Sequence, residues 1–158
     1  MSSSFRNSAA FGKRMEYYLI GLMLKDGLDV YIPMVDDDAI DAVVKKTSGE
    51  YVEIQIKARS NTVKFGSSGL FAALTHEYRP NYWFVFYSQP MDTMWIMSSK
   101  EFIEESRQNQ NGTNAGKRTI KLNGKNSKLQ KEHVLPQYMK YVATNFDRIK
   151  NEDPNSES

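Results

Sequence analysis

Phe11, Met15, Tyr18, Leu19 and Leu22 recur at helical spacing, which predicts an amphipathic helix from about Ser8 to Lys25. Asn7 or Ser8 can cap its start, and Gly27 supplies the positive φ that closes its end. Asp29–Val35, Ala39–Lys46 and Tyr51–Arg59 read as strands with turn-length connections, hence as an antiparallel meander. Asn61–Gly69 is a polar loop, and a short helix is expected from about Ser68 to Glu77. Tyr82–Tyr87 is an unbroken apolar run, the pattern of a central strand buried on both faces. Strand, short helix and buried strand together predict a right-handed crossover. Met94–Met97 reads as a further strand, Lys100–Gln108 as a helix and Asn109–Gly116 as a loop. A hairpin turning at Asn123-Gly124 is expected next. Leu135, Met139, Val142, Phe146 and Ile149 then predict a final amphipathic helix with Pro136 in its first turn. The fold class is α/β, a mixed sheet with helices on its faces.

The alternation also fixes how two of these strands pair. Val52, Ile54 and Ile56 point to the core, so Glu53, Gln55 and Lys57 share the other face. On the preceding strand Ile40, Ala42 and Val44 form the apolar set, leaving Asp41 on the polar side. Residues directly opposite in an antiparallel pair share a face. A two-residue turn at Ser48-Gly49 would set Asp41 against Ile56, with a carboxylate in the core layer. A three-residue loop, Thr47-Ser48-Gly49, sets Asp41 against Gln55 and Ala42 against Ile54, and Gly49 accepts the positive φ such loops end on. The apolar pattern selects the second register, which clusters Asp41, Glu53, Gln55 and Lys57.

Composition narrows the chemistry. A chain of 158 residues suits one domain, and no apolar run reaches the roughly 18 residues of a membrane span. The start has no apolar h-region, and there are no cysteines, so disulfides, thiolate zinc sites and Cys nucleophiles are absent. A cytoplasmic protein is expected. Net charge is only +2, but Lys117, Arg118, Lys121, Lys125, Lys128 and Lys131 form a basic stretch without an acid. Such a segment can bind nucleic-acid phosphates, or it can be a solvated loop. Residues 1–150 read as one domain and 151–158 as a disordered acidic tail.

A carboxylate and an amide oxygen suit a hard divalent cation such as magnesium, which takes few protein ligands and keeps several waters. A neighbouring lysine can orient or deprotonate an attacking water and offset phosphate charge. The alternative is a surface strand carrying a Glu–Lys ladder without function.

Asp41, followed across a hairpin by Gln55-Ile56-Lys57, resembles the D…(D/E/Q)-x-K core of the PD-(D/E)xK, or restriction-endonuclease-like, nucleases. The glutamine form is similar to the Mrr-type variants. The resemblance covers about Ser8 to Tyr87 and implies a first helix, a three-stranded meander, a crossover helix and a further strand. It implies Asp41 as principal metal ligand, joined by Gln55 and the Ile56 backbone carbonyl, with Glu53 as a further candidate. Lys57 would be the water-positioning base or electrostatic catalyst, and Glu16, on the first helix, would approach the metal. The implied cofactor is Mg2+ or Mn2+ and the implied activity is endonucleolytic hydrolysis of DNA, in repair, recombination or defence against foreign DNA. A homodimer would suit cutting of two strands; no membrane partner and no nucleotide cofactor are expected. Two departures are visible: Ile40 stands where a proline often precedes the aspartate, and Gln55 stands where most members carry a carboxylate.

Other signals read as structural. His76 and His133 have no ligand spacing, and His76 is expected to be surface or partly packed on the short helix. Gly66-Ser67-Ser68-Gly69 can cradle a phosphate or act as a connector, and Asp36–Asp38 reads as a solvated turn leading into Asp41. Two competing functions remain. One is a catalytically inactive nucleic-acid-binding module of the same fold. The other is a protein-interaction module, which would carry an exposed apolar patch away from Asp41.

Overall fold

The computed structural model describes residues 2–35 and 37–156, with side chains from residue 8 onward except at position 36. Helix α1 (Ser2–Lys25) starts one and a half turns before the expected cap, and Gly27 ends it at φ +88 as the sequence requires. The Leu28 N–H then reaches back to the Met23 carbonyl at 3.0 Å, satisfying one carbonyl of the last turn.

The main sheet runs in the order β1 (Asp29–Tyr31), β2 (Ala42–Lys45), β3 (Tyr51–Arg59), β5 (Tyr82–Ser88), β6 (Thr93–Ser98) and β11 (Val142–Ala143). The first three strands form the antiparallel meander, and β3 and β5 are parallel. Every residue of β5 is buried, because both faces are covered. On one face α1 and Ile149 pack over Ile54, Ile56, Val85 and Ile96. On the other, Phe71, Phe102, Ile120 and Leu122 cover Phe84 and Phe86.

The expected crossover helix is absent. The segment between β3 and β5 instead contains strand β4 (Leu70–Leu74), which pairs with β8 (Arg118–Lys121) in a small sheet completed by β7 (Arg107–Gln108). Leu-Phe-Ala-Ala-Leu has ample helical propensity, but the strand conformation sets the Phe71 ring 4.7 Å from that of Phe86. It also gives the backbone a partner in β8, and tertiary pairing overrides propensity here. A register shift near Ala73, at φ +57, absorbs the irregularity.

Four other expectations need correction. The basic hairpin turns between β9 (Asn123–Asn126) and β10 (Lys131–Val134), so Asn123 is a buried strand residue and the tip falls at Ser127–Gln130. The final helix is divided into a 3-10 turn (Pro136–Tyr141), β11 and α3 (Asp147–Asn151), while α2 (Ser99–Glu105) ends before Gln108. Val142-Ala143 interrupts the helical stripe because β6 has an open edge there, which it closes by pairing with Trp95 and Met94. The segment expected as a disordered tail carries specific contacts through Ser156. Pro154 is buried, and the Asn155 side chain accepts from the Asn81 N–H at 2.8 Å and donates to its Oδ1 at 2.7 Å. Glu157 and Ser158 lie outside the described residues.

Candidate functional site

Strands β2 and β3 meet through the odd-length loop that the apolar pattern selects. Ala42 pairs with Ile54, Lys46 bonds Glu50 at 2.8 Å, and Gly49 has φ +91. One step further along this register brings Asp41 to Gln55. There β2 leaves the sheet. Asp41 still donates its N–H to the Ile54 carbonyl at 2.9 Å, but the next main-chain donor of β3, the Ile56 N–H, is taken by Asp41 Oδ2 at 2.7 Å. In an extended strand the N–H and C=O of one residue point to the same edge, so the Ile56 carbonyl also faces the opening of this fork.

The chain before Asp41 is strained and clamped. Asp38 and Ala39 both have φ +55, a region L side chains rarely adopt, at a cost of about 1 kcal/mol or more each. Two residues at the start of the β5 segment hold them. Arg79 donates to the Asp38 carbonyl at 2.6 Å and to its carboxylate at 3.2 Å, and the Tyr82 hydroxyl donates to the Ala39 carbonyl. Asp36 lies outside the described residues.

The sequence-predicted residues fall into three groups. Asp41 and Glu16 line one cleft of about 20 Å3, together with Lys13, Ile20, Ile32, Pro33 and Ile40. That is room for a single water-sized guest. Glu16 is half-buried and pairs at 3.1 Å with Lys13, which lines the same cleft. Gln55 is buried, with Oε1 2.9 Å from the Tyr82 hydroxyl, and Lys57 follows it on the same face of β3, without an ion pair among the described residues. Glu53 is held elsewhere: Arg79 bonds its carboxylate at 3.0 Å and lies 4.8 Å over the Tyr82 ring.

Oxygen donors dominate this set, and no group of three His, Cys, Asp or Glu side chains able to hold a metal occurs among the described residues. By donor type, the two carboxylates that share the cleft suit magnesium, which is held by one or two carboxylates with its remaining positions filled by water. They do not fit zinc, which prefers nitrogen and sulfur. Gln55 and Ile56 are not among the residues lining that cleft.

Within the basic stretch, Lys121, Lys125, Lys128 and Lys131 are exposed and Lys117 is half-buried. Arg118 is engaged by the Ile103 carbonyl at 3.2 Å and Ser106 Oγ at 3.4 Å. His76 is a buried core residue, not a helix-surface one. Its Nε2 lies 2.6 Å from Ser99 Oγ and its ring stacks on Tyr82. The sequence does not single out Arg79, and it shows Tyr82 only as part of the apolar run of a buried strand. A polar-tipped aromatic at the head of an unbroken apolar run was the available signal for Tyr82, since a buried phenol needs a partner.

The fold is thus a mixed α/β one, a mixed multi-stranded sheet with flanking helices, and it is shared with a nuclease. It is similar to a solved bacterial homing endonuclease, I-Ssp6803I, with TM-score 0.54 at 16% sequence identity over 90% of this chain and 91% of that one. No family model matches the sequence, and no curated protein matches it. No helix among the described residues is long and apolar enough to cross a membrane.

Proposed function

We propose that this chain is a divalent-metal-dependent endonuclease hydrolysing DNA phosphodiester bonds, of the PD-(D/E)xK kind with a Q-x-K variant motif. One observation carries the reading: β2 and β3 fork at Asp41, whose carboxylate is anchored on the Ile56 N–H where Gln55, the Ile56 carbonyl and Lys57 follow one another. The likeness of fold to a homing endonuclease supports it. Asp41, Gln55 and the Ile56 carbonyl would hold Mg2+ or Mn2+, with Glu16 reaching the same cleft. A bound cation would stabilise charge on the phosphodiester and acidify the attacking water. Asp41 contributes a carboxylate whose orientation is fixed by the main chain of β3. Lys57 contributes a cation that offsets phosphate charge and orients the incoming water. The exposed lysines of the β9–β10 hairpin would contact the DNA backbone. A homodimer would supply two such sites for two strands, in repair, recombination or defence against foreign DNA.

A catalytically inactive binding module of the same fold is favoured by one observation, the tie of Glu53 to Arg79, which withdraws a carboxylate from the cluster. The protein-interaction reading predicts an apolar patch away from Asp41. The exposed run Ile32, Met34 and Val35 instead adjoins the Asp41 cleft, which Ile32 lines.

The deciding experiment incubates the full chain with supercoiled plasmid, single-stranded DNA and RNA, with magnesium, with manganese and with chelator. Metal-dependent DNA cleavage is expected. Lys57→Ala should abolish it while retaining magnesium binding, and Asp41→Asn should lose both. No cleavage of DNA with either metal, together with equal magnesium binding by wild type and Asp41→Asn, overturns the proposal.

A further inference from the structure

Tyr82 is fully buried, and its hydroxyl faces two acceptors at once. It donates to the Ala39 carbonyl, and Gln55 Oε1 stands 2.9 Å from the same oxygen. A phenol has one proton, and neither a main-chain carbonyl nor an amide oxygen has one to give. Serving both acceptors would leave two buried oxygens facing each other without a hydrogen between them, an arrangement that buried polar groups avoid. The Ala39 bond is the fixed one, because it holds a residue at φ +55 in the segment that leads into Asp41. Gln55 is the adjustable member. With its amide turned over, Nε2 donates to the Tyr82 oxygen and Tyr82 donates to Ala39, so no two oxygens face each other without a hydrogen and Oε1 is left to accept elsewhere.

We infer that Tyr82 is a positioning residue that fixes the Gln55 amide with Nε2 toward the phenol and Oε1 turned away from it, held as a neutral oxygen ligand for the cation. The orientation follows from hydrogen-bond counting alone; its use toward a cation rests on the proposed metal-dependent reading. The same arrangement accounts for glutamine, not a carboxylate, at position 55. A carboxylate has no N–H, so Gln55→Glu would set an oxygen against a phenol whose proton already belongs to Ala39. Glutamine is therefore what keeps the Ala39 bond, and through it the approach to Asp41, intact.

The test uses the 15N-labelled full chain. The Gln55 side-chain NH2 signals, identified by their loss in Gln55→Glu, should be shifted and protected from solvent exchange in the wild type. In Tyr82→Phe they should move to the positions of an unbonded glutamine, with the backbone spectrum showing that the fold is kept. Unshifted, fast-exchanging Gln55 signals in the wild type overturn the orientation without recourse to any Tyr82 variant. Magnesium titration of wild type, Tyr82→Phe, Gln55→Glu and the double variant then reads the role. Tyr82→Phe should weaken magnesium several-fold when glutamine is present and not when glutamate is, since the two carboxylate oxygens need no sorting. Equal weakening in both backgrounds, or none in either, overturns the positioning role. A protected Gln55 amide with no magnesium binding by any of the four proteins overturns the metal reading and leaves the orientation standing.

Discussion

Acidification from pH 7 to pH 4 should destabilise the folded chain through His76. The imidazole is 8% exposed, bonded to Ser99 Oγ, stacked on Tyr82 and edge-on to Phe84 and Phe102. Burial, with smaller contributions from the Arg79 and Arg118 charges, lowers its pKa from 6.5 to about 4. Between those values the unfolded chain binds a proton that the folded one refuses, so stability rises with pH across this window and is lost as pH falls through it. The loss from this one group is about 2 kcal/mol at pH 5 and about 3 kcal/mol at pH 4. For a urea slope on the order of 2 kcal/mol/M, the unfolding midpoint moves down by about 1 M between pH 7 and pH 5. Urea titrations of wild type and His76→Gln at half-unit intervals isolate the effect. The variant should be less stable at pH 7 and should lack this pH dependence. Asp26, held below its ordinary pKa by the Phe146 N–H and Lys150, loses its contribution only as pH falls through values below 3.8 and is common to both proteins. Parallel stability curves for the two proteins between pH 7 and pH 4 would refute the assignment of a neutral core histidine.

The remaining expectations concern the proposed site and its surroundings. Neutralising Lys125, Lys128 and Lys131 to glutamine should weaken DNA binding similarly for all sequences and reduce the salt slope by about 0.9 for each phosphate no longer neutralised. An unchanged slope in fluorescence anisotropy titrations would remove the hairpin from the DNA path. Glu16→Gln should weaken magnesium several-fold in calorimetric titrations if its carboxylate, which lines the Asp41 cleft, belongs to the site. Unaltered magnesium affinity in that variant would return Glu16 to the helix surface.

Local pattern alone determined the parts of this protein whose two faces differ. The presence of α1, the fully buried β5 and the pairing of β2 with β3 follow from side-chain periodicity, and the register follows because a slip by one residue would bury Asp41 in the core. The buried face of α1 departs from the expected stripe: Leu19, Ile20 and Met23 are buried and Tyr18 is exposed. The β2–β3 register places Gln55 and Lys57 on one face of β3, but Asp41 lies where β2 leaves the sheet, in the cleft with Glu16, and Ile40 packs against the core opposite that of Ala42 and Val44. Tertiary structure decided everything that depends on a distant backbone partner. Leu70–Leu74 is a strand because β8 lies beside it, and Val142-Ala143 leaves its helical stripe because the edge of β6 is open. Arg79 and Tyr82 reach the site only after the crossover brings β5 alongside β3, where they clamp the strained Asp38–Ala39 segment. Periodicity reports which side of an element is apolar; it carries no record of which main-chain donors and acceptors remain unpaired until the sheet is assembled.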